Sequence, residues 1–134
     1  MYKTILYIED ERAIAEIYAE LLRPHGYEVD LAYDGRSGLE MAQNNRYDVI
    51  LLDLMLPYMS GLEILEALKD KTKSPNFSDQ TDIFILTNFD VDDITRQQIL
   101  TKAQGYLIKV EVTPKKLAEI LEERGNAKAA TVAA

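Results

Sequence analysis

The chain has 134 residues, 47% of them hydrophobic and 28% charged, with a formal net charge of -8, no cysteine and one histidine. That length fits one domain, which at this size buries roughly 65 to 70% of its unfolded surface in a single core. The composition excludes disulfides, thiolate zinc sites, a cysteine nucleophile and a multi-histidine metal centre, and its acidity argues against nucleic-acid binding, leaving carboxylates and a bound cation as the expected chemistry.

Thr4 to Ile8 is a β-branched and aromatic run ending in Glu9, Asp10 and Glu11, as a buried strand reaching a polar edge does. It is too short for a secretory signal, and no stretch approaches the roughly 20 apolar residues of a membrane span, so a cytoplasmic location is expected. Ala13, Ile14, Ile17, Tyr18, Leu21 and Leu22 recur at helical spacing up to Pro24 and Gly26. Tyr27 to Tyr33 alternates as a second strand, Asp34-Gly35 reads as a turn, and Leu39, Met41 and Ala42 support a short second helix. Val49 to Leu52 is an unbroken aliphatic run of the kind found in a strand covered on both faces, and Asp53 ends it. Leu62, Ile64, Leu65 and Leu68 predict a third helix, Ile83 to Leu86 a fourth strand ending at Thr87, residues 90–103 a fourth helix, and Tyr106 to Ile108 a fifth strand closed by Lys109. Thr113-Pro114 opens a last helix, with Thr as N-cap and Pro at the first helical position. Gly125 is expected to end it, giving a domain over residues 1–125 and a flexible tail over 126–134.

Strands alternating with helices predict a doubly wound α/β fold with a five-stranded parallel sheet and five helices, whose ligand site lies beyond the carboxyl ends of the strands. The residues expected there are Glu9, Asp10, Asp53, Thr87 and Lys109. Each alone has an ordinary explanation: an acid at a helix start, a solvated loop residue, a strand hydroxyl, a surface amine. Gathered at one edge, three carboxylates call for a cation among them, and an oxygen-lined octahedral Mg2+ site is the expected answer. Asp53 is then suited to act as a nucleophile that forms an aspartyl phosphate, with Lys109 and the Thr87 hydroxyl on the remaining phosphoryl oxygens.

ILYIEDE at residues 5–11, LLDLMLPYMSGLEIL at 51–65, FILTNF at 84–89 and GYLIKVEVTP at 105–114 together resemble the receiver domain of response regulators in two-component signalling, a CheY-like domain, over about residues 3–124. The resemblance implies a flavodoxin-like sheet of order 2-1-3-4-5. It implies Asp53 as phosphoacceptor, with Glu9, Asp10, Asp53 and the backbone carbonyl of Met55 holding Mg2+, and Thr87 and Lys109 on the phosphoryl oxygens. Thr87 and Tyr106 would form the switch that re-shapes the face of helix four, strand five and helix five. Met55 and Phe89, two residues beyond Asp53 and Thr87, would set the lifetime of the phosphoryl group. The implied partners are a sensor histidine kinase or phosphotransfer protein, a downstream protein target and a phosphorylation-dependent homodimer, with no direct nucleic-acid or membrane binding. The implied role is a signalling domain that catalyses only its own phosphorylation and dephosphorylation.

Several positions depart from the family pattern. Glu9 stands where many members have Asp, Asn88 where a small residue is common, and Lys102 where a Gly often ends the fourth helix. Val110 replaces a Pro whose preceding peptide bond is typically cis; for Lys109-Val110 a cis bond would cost about 2.5 to 4 kcal/mol, so trans is expected. Three rival readings stand beside this one. A Mg2+-dependent aspartyl-phosphate phosphohydrolase would want an acid where Met55 stands. A flavodoxin-like cofactor binder would not put Glu9, Asp10 and Glu11 in its phosphate loop. A degenerate receiver serving as a constitutive scaffold stays open. His25 is assigned a surface or capping role, and Tyr2, Tyr7, Tyr18, Tyr27 and Tyr33 a role in core packing. About ten residues follow the last expected helix, too few for an output domain: a complete chain would signal by protein contact, and an excised one would have its output module elsewhere.

Overall fold

Period-two alternation builds the sheet. In β1 (Thr4–Ile8) Ile5 and Tyr7 pack into one core layer and Leu6 and Ile8 into the other, so both faces of the strand are buried. β2 (Glu28–Ala32), β3 (Val49–Leu52), β4 (Asp82–Thr87) and β5 (Gly105–Ile108) complete an all-parallel sheet of order β2-β1-β3-β4-β5. A computed structural model describes residues 1–133. α1 (Arg12–Leu22) and α5 (Pro114–Ala133) cover the Tyr7 face, while α2 (Gly35–Asn44), α3 (Gly61–Lys69) and α4 (Asp93–Leu100) cover the Leu6 face. This is the expected doubly wound, flavodoxin-like fold. Among the described residues no helix is long and apolar enough to cross a membrane.

The strands match the sequence expectation closely, and the helices differ where side-chain chemistry overrides apolar spacing. α1 buries Ala15, Tyr18, Ala19 and Leu22, one face at i, i+3, i+4 and i+7, and leaves Ile17 51% and Leu21 48% exposed. Small Ala side chains let α1 approach its neighbours, which counting large apolar residues does not reveal. Asp34-Gly35 is a helix start rather than a turn, because the Asp34 carboxylate accepts the Ser37 N–H at 2.8 Å as N-cap of α2. α4 is shorter than residues 90–103: Asp92 caps its start through the Thr95 N–H at 2.7 Å, and i+3 bonds from Thr101 to Gln98 and from Lys102 to Ile99 tighten its end. Lys102 takes no positive φ, and no peptide bond among the described residues is cis, Lys109-Val110 included.

The largest correction concerns residues 126–134, expected as a tail without structure. α5 continues through Ala133, and only Ala134 lies outside the described residues. Gly125 is not a helix end: its buried Cα lies against Tyr2, where an added Cβ would sit 2.9 Å from the Tyr2 backbone nitrogen. Beyond it, Ala-rich sequence of high helix propensity carries Lys128 to the Asp82 carboxylate at 3.3 Å. Thr113 caps α5 as expected, accepting the Lys116 N–H at 3.1 Å. His25 is exposed at the end of a 3-10 turn, Tyr2, Tyr7, Tyr18 and Tyr27 are core residues, and partly buried Tyr33 lies under the Arg12 guanidinium at 4.0 Å.

Candidate functional site

Parallel register places the chemistry. Ile8 pairs with Ala32 and Leu52, Leu52 with Ile85, and Thr87 with Ile108, so the chain leaves β1, β3, β4 and β5 at one edge of the sheet. The residues delivered there are Glu9, Asp53, Thr87 and Lys109. Backbone bonds extend the ladder past the strands, from Glu9 N–H to the Ala32 carbonyl at 2.9 Å and from Asp53 N–H to the Ile8 carbonyl at 3.2 Å, which holds both acids rigidly. Gly61 opens α3 directly over Asp53: a Cβ there would collide with the Asp53 carbonyl oxygen and come within 2.7 Å of the Leu54 Cα. Ser60 caps the same helix through the Glu63 N–H at 3.2 Å.

The Asp53 carboxylate, 5% exposed, has donors on both oxygens. The Thr87 hydroxyl donates to Oδ1 at 2.7 Å, the Met55 N–H to the same oxygen at 3.1 Å, and the Lys109 ammonium to Oδ2 at 2.7 Å. Lys109 also donates to Oε1 of fully buried Glu9, whose other oxygen takes the Glu11 N–H at 3.3 Å. Beneath them the buried Tyr7 hydroxyl donates to Glu9 Oε1 at 3.2 Å, its ring standing edge-on to Tyr18.

Burial pushes the Glu9 carboxyl above its ordinary range, against the opposing pull of Lys109. Burial would lower the Lys109 ammonium, but its hydrogen bonds to Asp53 and Glu9 win and raise it. Tyr7 is pushed far up, first by burial and then by the Glu9 charge, so its hydroxyl acts only as a neutral donor. One carboxylate oxygen from each of Glu9, Asp10 and Asp53 can come within 4.8 Å of the others, and Asp10 is exposed with no hydrogen-bond partner for its side chain among the described residues. Three acids offering only oxygen suit a hard divalent cation such as Mg2+, so the donor set fits the expected metal.

The structure thus brings together Glu9, Asp10, Asp53, Thr87 and Lys109. Tyr106 stands further out: partly buried, it donates its hydroxyl to the Phe89 carbonyl under the Arg96 guanidinium, 4.5 Å from the ring centroid. Met55 and Phe89 lie in the loops that follow β3 and β4, 60% and 46% exposed, and the Phe89 N–H returns to the Thr87 hydroxyl at 3.2 Å. Sequence reading missed Tyr7 and Gly61 as parts of the site. The polar hydroxyl in an otherwise aliphatic strand and the glycine at a helix start were the available signals. Asn88, noted only as a departure, accepts the Val110 N–H on Oδ1 at 3.0 Å.

A family model described as the response regulator receiver domain matches residues 5–122. The chain is 46% identical over 71 residues to the response regulator ArlR of Staphylococcus saprophyticus, covering 53% of this chain and 32% of that protein. It is 48% identical over 66 residues to the transcriptional regulatory protein DltR of Streptococcus agalactiae, covering 49% and 30%. The matched region thus spans about a third of the length of these curated relatives. Among solved structures, a CheY-like receiver domain protein from Methanospirillum hungatei superposes with a TM-score of 0.79 at 26% identity, over 98% of this chain and 99% of that one. The chemotaxis response regulator CheY4 of Vibrio cholerae gives 0.75 at 29% identity, over 92% and 98%.

Proposed function

The chain belongs to the response regulator receiver domain family, whose members serve phosphorylation-dependent signalling, and from that premise we propose that it takes a phosphoryl group onto Asp53 from a phosphohistidine of a sensor kinase or phosphotransfer protein. The observation that carries this reading is the Asp53 carboxylate held between the Thr87 hydroxyl and the Lys109 ammonium, 2.7 Å from each, beside the acids Glu9 and Asp10. A carboxylate oxygen of Asp53 forms the new bond to phosphorus as the bond from phosphorus to the donor nitrogen breaks; that nitrogen keeps the electron pair, and a phosphohistidine protonated on its other ring nitrogen departs as neutral imidazole. Glu9, Asp10, Asp53 and the Met55 carbonyl would hold Mg2+, which when bound supplies positive charge against the approaching phosphoryl group. Lys109 contributes a fixed ammonium and Thr87 a hydroxyl to the phosphoryl oxygens, positioned in advance by the sheet.

The output is a change of surface. Thr87, leaving Asp53 for the phosphoryl group, would draw the loop after β4 with it, and the Tyr106 ring would turn inward, giving up its bond to the Phe89 carbonyl. That re-shapes the face of α4, β5 and α5, where Ile94, Leu100 and Val110 are exposed, for a downstream protein or a second copy of the chain. The domain does no turnover beyond its own phosphorylation and dephosphorylation, and it works in the cytoplasm without direct contact to nucleic acid or membrane. Intact-protein mass spectrometry with acetyl phosphate and Mg2+ tests the reading: one phosphoryl group on the wild type and none on Asp53→Asn. Equal labelling of the two would assign the acceptor elsewhere. Unchanged amide exchange across residues 88–112 with beryllofluoride and Mg2+ would favour the constitutive scaffold.

A further inference from the structure

Two departures from the family pattern meet in one hydrogen bond. Val110, in place of Pro, exposes a backbone N–H that proline would lack. Asn88, in place of a small residue, puts its side-chain carbonyl 3.0 Å from that N–H. The backbone pairing of β4 with β5 stops at Thr87 and Ile108. Asn88 follows Thr87 on one strand, Lys109 and Val110 follow Ile108 on the other, and the Asn88 side chain ties Val110, two residues past the last pair, back across to the end of β4. On one side of this tie stands Thr87, whose hydroxyl donates to Asp53; on the other stands Lys109, whose ammonium bridges Asp53 and Glu9.

We propose that Asn88 is a positioning residue for phosphoryl transfer: by accepting the Val110 N–H it fixes the backbone of Lys109 relative to Thr87, and so fixes where the ammonium meets Asp53. A proline after Lys109 would stiffen this turn by locking its own φ. This chain has a trans Lys109-Val110 bond opening a 3-10 turn over Lys109–Glu111, closed by the Val112 N–H on the Lys109 carbonyl at 3.2 Å, with Val110 itself 81% exposed. The tie from Asn88 adds a restraint at the exposed middle of that turn and joins it to the end of β4. The same bond turns the Asn88 side-chain carbonyl toward Val110, so the residue works by aiming Lys109 rather than by touching the phosphoryl group.

The proposal rests on the receiver reading and is tested with the full chain by two measurements. Amide exchange of the metal-free protein should show Val110 less protected in Asn88→Ala and protected as in the wild type in Asn88→Asp, which keeps the acceptor oxygen. Labelling of Asp53 by acetyl phosphate and Mg2+ should be roughly three- to tenfold slower in Asn88→Ala, the scale of one lost hydrogen bond. In a Val110→Pro background, which has no N–H to accept, Asn88→Ala should change neither the labelling rate nor the exchange of Lys109. Faster or unchanged labelling of Asn88→Ala would overturn the proposal, because Asn88 would then merely crowd the entrance. So would an equal loss with and without the Val110 N–H, or Val110 exchange indifferent to Asn88. Absence of label on wild-type Asp53 would instead sink the receiver reading and this proposal with it, an outcome told apart by the wild-type control.

Discussion

The Lys109 ammonium lies 2.7 Å from Asp53 Oδ2 and is shared with Glu9, so one cation serves as the common partner of two carboxylates that the fold has taken out of water. The Lys109 side chain is 9% exposed, that of Glu9 0% and that of Asp53 6%. At such burial a missing partner is costly, because the remaining charges have neither water nor a counterion.

Lys109→Ala should therefore destabilise the metal-free protein by about 3 to 5 kcal/mol, the cost of breaking a buried ion pair. It should bind Mg2+ more tightly than the wild type, by roughly tenfold, since the incoming ion no longer competes with an ammonium for the same oxygens. Denaturant titration and calorimetry in one buffer measure both. Weaker Mg2+ binding in the variant would show that Lys109 and the metal do not share these acids.

Asp10→Asn should reduce Mg2+ affinity more than Glu9→Gln. Asp10 is exposed and has no side-chain hydrogen bond among the described residues to give up, whereas Glu9 already divides its charge among Lys109, Tyr7 and the Glu11 N–H. Calorimetric titration of the two variants gives the order, and its reversal would make Glu9 the main ligand.

The lifetime of the phosphoryl group should depend on Met55 and Phe89. Both lie in loops whose N–H groups turn back onto Asp53 and Thr87, and neither side chain can orient an attacking water by hydrogen bonding. Met55→Asn or Phe89→Ala should lose phosphate several-fold faster than the wild type in a single-turnover assay after donor removal. Wild-type or slower rates in both would place the control of hydrolysis on Asn88, Lys109 or the metal.

Acid should selectively weaken the start of α2. The Ser37 N–H holds the Asp34 carboxyl below its ordinary value, so the unfolded chain binds its proton more readily than the folded one, and stability rises with pH. The contribution is present above the unfolded pKa of about 3.9 and disappears as pH falls through the lower folded value. Asp34→Ala should cost about 1 kcal/mol at pH 7, and that cost should shrink as pH falls below about 3.9. Asp34→Asn, which caps without a titrating proton, should show no such convergence. Parallel curves for Asp34→Ala and the wild type at all pH values would deny the cap its charge.

The strands and the five residues at their ends were legible in sequence because both are set by local pattern. An aliphatic run such as Val49–Leu52 has one favourable environment, a sheet covered on both faces, and the parallel crossovers that follow from alternating strands and helices bring every strand end to one edge. Glu9, Asp10, Asp53, Thr87 and Lys109 could thus be assigned to one edge before any contact was known. What needed the tertiary structure was everything decided between segments far apart in the chain. Ala15 and Ala19 define the buried face of α1 through close approach to neighbouring elements, a property of the neighbours. Gly125 reads as a helix end until Tyr2 is seen against it, 123 positions back along the chain, and α5 then runs on to Ala133. Tyr7 reads as a core aromatic until its hydroxyl is found under Glu9. Asn88 and Val110 read as two unrelated departures, because a hydrogen bond across 22 positions leaves no periodic trace and forms only where β4 and β5 lie side by side.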